Sequence, residues 1–270
     1  MFAWILGAMA MAQTTIPAAE IPADNDEVEA EVDKSVTTLG AELGFTYVSG
    51  NAVLVALNGG LQFSHRWKRN RFQLPATLNV GQSIPDTDGS GTLDDTERAA
   101  GLTENARRII VEPRYDRFFS DKDSLFIVVG VLHDPFIGYD LRPHQAIGYS
   151  RLLVDDDDTE VRVEIGFDYA QEFYVEGIDP DFQSIFAARA QGVFRQQFND
   201  NVGFSDTIEV FENLLDPADL RLINTATLTS SLSSKLSLKL SHQLLFDNVP
   251  VEGFRKTDQT SMVTLVATLL

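Results

Sequence analysis

The 270-residue chain is 44% hydrophobic, 10% aromatic and 23% charged, which excludes wholesale disorder and a collagen-like repeat. Forty acidic against 21 basic residues give a net charge of −19, the wrong sign for a partner made of phosphates, and nucleic acid is excluded on that ground. There is no cysteine, so disulfides, thiolate metal sites and thiol nucleophiles are excluded, and four histidines leave little room for a His-rich metal centre. The acids are concentrated in three stretches, Glu20–Asp33, Asp86–Glu97 and the run Asp155–Asp158, which read as a tail and solvated loops.

Residues 1–12, MFAWILGAMAMA, form an apolar run ending in the small pair Ala10 and Ala12, an A-x-A pattern expected of a cleaved signal peptide. The run is shorter than the roughly 20 residues of a membrane-spanning helix, and a buried N-terminal strand is the alternative. Residues 13–36 are expected to be an acidic, flexible periplasmic leader, and residues 37–270 a single domain with no boundary inside it.

Within that domain the hydrophobic period is two. Val161, Val163, Ile165, Phe167 and Tyr169 alternate with Glu160, Arg162, Glu164, Gly166 and Asp168, and similar rows start at Leu39, Val53, Phe72 and Leu236. The spacing predicts about twelve strands, at 37–48, 51–65, 71–82, 105–118, 123–132, 143–154, 159–171, 182–196, 201–212, 220–232, 235–247 and 258–270. At about 10–15 residues each they are long enough to cross a bilayer at a tilt. Pro75 and Pro113 are awkward inside strands and predict a bulge or a broken ladder.

The connections alternate. HRWKRN, SDKD, the tetra-aspartate, QFNDN and SLSSK are short; 83–104, 133–143, 172–181, 213–219 and 248–257 are longer, with Ser49–Asn51 the tight exception. An even strand count with short turns at one end and long loops at the other is the pattern of an antiparallel up-and-down transmembrane β-barrel in the outer membrane of a Gram-negative bacterium, both termini periplasmic. Two aromatic belts fit its interfaces: Trp67, Phe118, Phe119, Phe194, Phe198 and Phe204 near the short turns, and Tyr47, Tyr139, Tyr169, Phe173, Tyr174, Phe182, Phe211 and Phe246 near the long loops. Ile165 and Leu57 are expected to face lipid, and Arg162, Glu164 and Asn58 the lumen. Expected partners are outer-membrane lipids and, during biogenesis, the barrel-assembly machinery.

The lumen rows carry both signs, including Glu42, Arg66, Arg189, Arg195, Glu209, Arg221 and Lys239, as expected of cross-strand ion pairs that fill or narrow a lumen. Asp86–Glu97, DTDGSGTLDDTE, matches a calcium loop of the EF-hand type position by position. Asp86, Asp88, Ser90, the Thr92 carbonyl, Asp94 and Glu97 would supply the oxygens and Gly91 the sharp turn. Pro85 precedes it in place of an entering helix, and TERAAG can begin an exiting one; a solvated acidic loop is the alternative.

No histidine is followed by serine at the spacing of an outer-membrane phospholipase. His133, Asp134, Asp140, His144, Asp179 and Asp181 fall near the long-loop rim, where an omptin-like protease or other rim hydrolase is the alternative function. No catalytic residue is assigned, and the chain is expected not to be an enzyme. Residues 37–270 resemble the salt-induced outer-membrane protein family, through GFTYVSGNAVLVALNGGLQF at 44–63, RYDRFFSDKDSLFIVVGVLHDPF at 114–136 and LSLKLSHQLLFDNVPVEGFRKTDQTSMVTLVATLL at 236–270. That resemblance implies an outer-membrane β-barrel without an assigned molecular activity. Its role is expected to be structural and envelope-protective, or passive passage of small solutes, with Ca²⁺ at the surface loop.

Overall fold

The computed structural model describes residues 35–50, 53–90 and 92–269. The expected signal peptide and the leader up to residue 34 lie outside them, as do Gly91 and Leu270. The described chain folds into strands β1 Ser35–Val48, β2 Leu54–Trp67, β3 Asn70–Ser83, β4 Thr103–Val111, β5 Arg114–Phe118, β6 Asp123–Asp134, β7 Tyr139–Asp155, β8 Thr159–Tyr174, β9 Phe182–Asn199, β10 Val202–Asn213, β11 Leu220–Ser233, β12 Leu236–Asp247 and β13 Thr257–Thr268. A short helix α1, Asp95–Ala100, interrupts the β3–β4 loop.

Successive strands pair antiparallel, and β1 also pairs with β13, Gly40–Leu43 against Thr268–Leu265, which closes the sheet. β4 and β5 are halves of one stave, so the barrel has the expected twelve. The interruption lies at Pro113, which has no N–H to give to the ladder. Around it Glu112 N donates to Pro75 O at 3.1 Å and Val129 N to Pro113 O at 3.0 Å, so β3 and β6 remain bonded across the gap. No residue is gained or lost there, and even positions of the stave stay inward on both sides.

The alternation places apolar side chains outside and polar ones inside. Ile165 is 63% exposed and Leu57 41%, whereas Glu164 is 2% and Asp168 2% exposed. A water-facing sheet with this outer surface would forfeit about 25 cal/mol for each Å² of apolar area left wet, so the exterior is a surface for lipid. Outward ring pairs lie towards both ends: Phe119–Tyr149 (6.2 Å) and Phe194–Phe204 (6.4 Å) near the short turns, Tyr169–Phe186 (4.6 Å) and Phe173–Phe182 (4.9 Å) near the long loops.

Three details of the sequence reading change. Among the described residues strand geometry is already present at Ser35, two residues ahead of the expected strand start. Four aromatics of the expected belts turn inward: Phe118 lies under the Arg66 and Arg71 guanidiniums, Tyr139 and Phe211 line the lumen, and Tyr174 stacks on Tyr139 and donates to the buried Glu172. The expected long loop 133–143 is a tight turn. Asp134 accepts from Phe136 N at 3.1 Å, Pro135–Ile137 forms a single 3-10 turn, and Gly138, at φ 97°, reverses the chain into β7. Strand geometry then continues through Pro143, because Arg142 and His144 find partners on β8.

Candidate functional site

The long-loop half of the lumen encloses a cavity of about 420 Å³. Its roof is the 248–256 loop. Asn248 is held at the base by Nδ2 donation to Ala218 O (2.8 Å) and N donation to Leu220 O (3.0 Å). The tip crosses the mouth to the opposite side of the ring, where Val251 and Phe254 pack on the β6–β7 turn. They sit so close that a Cβ on Gly138 would lie 2.8 Å from Val251 Cγ1 and 3.0 Å from Phe254 Cε2.

The floor rests on Phe126, 1% exposed beneath the lining, with its ring seated on Gly148: a Cβ there would be 2.5 Å from Phe126 Cζ. Arg114 and Arg189 stack on that ring, their Cζ atoms 4.3 and 5.2 Å from its centroid. Glu164 joins the two arginines, accepting from Arg114 Nη2 at 2.8 Å and Arg189 Nη1 at 3.1 Å. Arg114 Nη2 also donates to Asp116 at 2.8 Å, and Arg189 Nε to Glu209. Towards the short turns, Glu160 holds Arg162 and Arg195. On the other side of the barrel Lys239 Nζ reaches Glu42 at 2.8 Å, beside a void of only about 20 Å³.

The upper wall is also tied by ions. Arg142 Nε donates to Glu172 at 3.0 Å, Arg221 donates to Glu172 and Asp219, and Arg108 Nη1 donates to Asp134 at 3.1 Å. His144 spans the lumen face from Asp168 (Nδ1, 2.8 Å) to Glu112 (Nε2, 3.0 Å). It can lie flat because residue 130 is glycine; a Cβ there would be 2.0 Å from His144 Nε2.

The expected pairing of opposite charges therefore holds for Glu42, Arg162, Glu164, Arg189, Arg195, Glu209, Arg221 and Lys239. Arg108, Arg114, Asp116, Arg142 and Glu172 belong to the same network and were not singled out from the sequence. The signal was present, since each falls on the inward parity of its strand.

The acidic loop is partly assembled. Asp86, Asp88 and Glu97 bring carboxylate oxygens within 4.8 Å of one another. Asp94 instead caps α1 by accepting from Glu97 N at 2.8 Å, while Glu97 returns to Asp94 N at 3.1 Å. Glu97 also accepts from Thr87 Oγ1 at 2.8 Å and from Thr87 N. The N–H donors of Thr87 and Asp94 hold the Glu97 carboxyl below its usual range. Ser90 Oγ donates to the Thr92 carbonyl at 2.8 Å, so neither oxygen faces the carboxylate cluster alone. Gly91 is outside the described residues.

At the rim, His133 Nδ1 contacts the Asp140 carbonyl and lies 3.9 Å from its carboxylate. Asp134 is turned to Arg108 and His144 to the lumen, so the six rim candidates do not converge on one point.

Residues 41–269 match the family described as "Protein of unknown function, DUF481", and the chain belongs to that family. A comparison with curated proteins finds no match. Among solved structures the NanC porin is similar, with 14% identity, a TM-score of 0.51, and coverage of 86% of this chain and 100% of that one. The translocator domain of the autotransporter NalP from Neisseria meningitidis has 13% identity and a TM-score of 0.44, over 86% of this chain and 87% of that one. The COG4313 outer membrane channel from Pseudomonas putida F1 has 14% identity and a TM-score of 0.44, over 89% and 98%. At such identity the likeness to the NanC porin is one of fold, a closed antiparallel transmembrane barrel.

Proposed function

We propose that the protein is an outer-membrane barrel that admits small solutes from its long-loop end, with that end outside the cell and both termini periplasmic. The observation that carries this reading is the roofed cavity: a vestibule of about 420 Å³ at the long-loop end, lined by charged and apolar side chains and floored by Arg114 and Arg189, which stack on Phe126. A purely structural barrel has no need of an entrance, whereas a passage needs one and needs its floor to yield. Reconstituted in planar bilayers, the barrel should conduct in small steps, and Phe126→Ala should raise the step size. A wild type and a variant that are both silent would leave only the structural role. Tags within 213–219 or 248–257 should label on intact cells, and one at Asp155–Asp158 only after permeabilisation; the reverse pattern refutes the orientation.

The family resemblance adds an envelope role under salt stress to this proposal, tested by growth of a deletion strain at high salt. A second reading concerns the acidic loop. Asp86, Asp88 and Glu97 converge, and we propose that one Ca²⁺ draws in Ser90, the Thr92 carbonyl and Asp94 as well. Extracellular calcium modules bind at about 10⁻⁴–10⁻³ M, so calorimetry in that range should give a saturable heat that Asp86→Ala abolishes.

A further inference from the structure

We propose that the roofed cavity is a binding site for a small organic anion, a carboxylate carried on an apolar body; this rests on reading the cavity as the place where solute enters. Seven arginine and lysine side chains line it against four carboxylates, inside a chain whose net charge is −19. Of the acids that anchor the arginines, Glu209 and Asp247 share the lining with Arg189 and Arg221, and three others do not. Glu172, Glu164 and Asp134, at 0%, 2% and 3% exposure, lie behind them in the wall.

A guanidinium has five N–H donors, and although Arg114 and Arg221 engage all three nitrogens with their acids, Arg142 and Arg108 do not. Among the described residues Arg142 donates through Nε alone, to Glu172, and Arg108 through Nη1 alone, to Asp134. Arg108 Nε is buried with no partner. The Tyr139 hydroxyl, also in the lining, makes no hydrogen bond among the described residues, and neither does Arg255 on the roof loop. Lys256 Nζ reaches only Asn248 Oδ1, at 3.1 Å. These groups are all donors, and a carboxylate is the acceptor whose geometry fits a guanidinium edge.

The rest of the lining is apolar. Phe136, Val251 and Phe254 lie at the roof, Leu245 lies at the wall, and Phe211 packs on the buried patch of Ala170, Ile185 and Ala187. A hydrated inorganic anion would lose water against those rings with no return, and a neutral hydrocarbon would strip water from the guanidiniums without replacing it. A cation would meet the arginines directly. A volume near 420 Å³ is within the usual range for a small-molecule site.

Benzoate is the probe, titrated calorimetrically into the full-length barrel in detergent, with benzyl alcohol, benzylamine and acetate as controls. Benzoate should saturate, and each control should bind at least about tenfold more weakly, one lacking the charge, one reversing it and one lacking the ring. Arg142→Gln should weaken benzoate about tenfold or more, the worth of a charged hydrogen bond. The double variant Arg255→Gln/Lys256→Gln, on the exposed roof, should weaken it without touching the wall. Folding of each variant is checked by heat-modifiable mobility on gels.

The inference falls if benzyl alcohol or acetate binds as well as benzoate. It falls equally if both folded variants bind unchanged, or if no heat appears up to about 10 mM, a level already far weaker than a useful site. The same preparation in planar bilayers separates this result from the passage reading. Benzoate binding without conductance refutes passage and keeps the anion site; conductance that benzoate neither binds nor blocks does the reverse.

Discussion

From β5 to β9 the lumen wall is built of ions: Arg114, Asp116, Glu164, Arg189, Arg142, Glu172 and the His144 bridge. From β11 through β13 and on to β3 its middle is built of small neutral groups, Thr225, Thr227, Ser241, Gln243, Thr264, Asn79 and Thr77, with Lys239–Glu42 among them and Arg221–Asp247 and Arg71–Asp116 towards the two ends. Both walls are buried and polar, yet they respond to damage differently. A buried ion pair gains little over a well-packed apolar pair, but a single ion left behind is costly. A neutral hydroxyl without a hydrogen-bond partner can be deleted with its shape preserved at little cost. The ionic wall therefore fixes geometry and the neutral wall fills space.

Four outcomes test that contrast. Glu164→Leu leaves Arg114 and Arg189 without their shared acceptor and should cost about 3–5 kcal/mol in reversible unfolding from micelles. A loss below about 1 kcal/mol would mean that water penetrates the ionic wall freely. Ile165→Arg, one residue away but facing lipid, should cost about 2–4 kcal/mol near the bilayer midplane. Full tolerance would place this face away from lipid.

Thr227→Val on the neutral wall should change stability by less than about 1 kcal/mol, because its Oγ1 is buried with no hydrogen-bond partner and the swap keeps its shape. The smallest effect is local and outside the barrel. Glu97 has a lowered pKa in the fold, so its contribution to loop order is complete above the ordinary carboxyl value of 4.5 and is lost as pH falls through the lowered one. Amide exchange at Thr87 and Asp94 should rise only in that acid window, and Glu97→Gln should remove the pH dependence.

Much of the barrel was legible because period two is a local property that lipid on one side and a polar lumen on the other both enforce. The break at Pro113 was legible for the same reason, since a missing N–H is written in the residue itself. The turn at 135–138 was not. His133 to Pro143 has the Pro, Gly and Asp content of a loop, and what holds most of it in strands is the pairing of Arg142 with Glu172 and His144 with Asp168, two strand positions that the local pattern does not connect. The inward turn of Phe211 could have been read from parity, but its aromatic character pointed instead to a belt; that of Tyr139 could not, because the register shifts between Tyr139 and Leu141 and reverses its facing. The roof loop was beyond reach, because Val251 meets Gly138 only once the ring is closed. The calcium pattern was read from spacing alone, and the capping role of Asp94 became visible only with α1 in place.

The seam between β1 and β13 has a consequence in time. β1 runs alongside β2 over its whole length, from Ser35 against Trp67 to Val48 against Leu54, but its register with β13 covers Gly40–Leu43, with one more bond from Leu269 N to Leu39 O at 2.8 Å. A band whose clasp joins its first stave to its last has no smaller closed form, and the clasp forms only after every hairpin between has been laid down, at the greatest sequence separation the domain possesses. Until then two edges stay unpaired and adhesive. The shortest joint is thus the last to be made, and the first place where the closed wall should breathe.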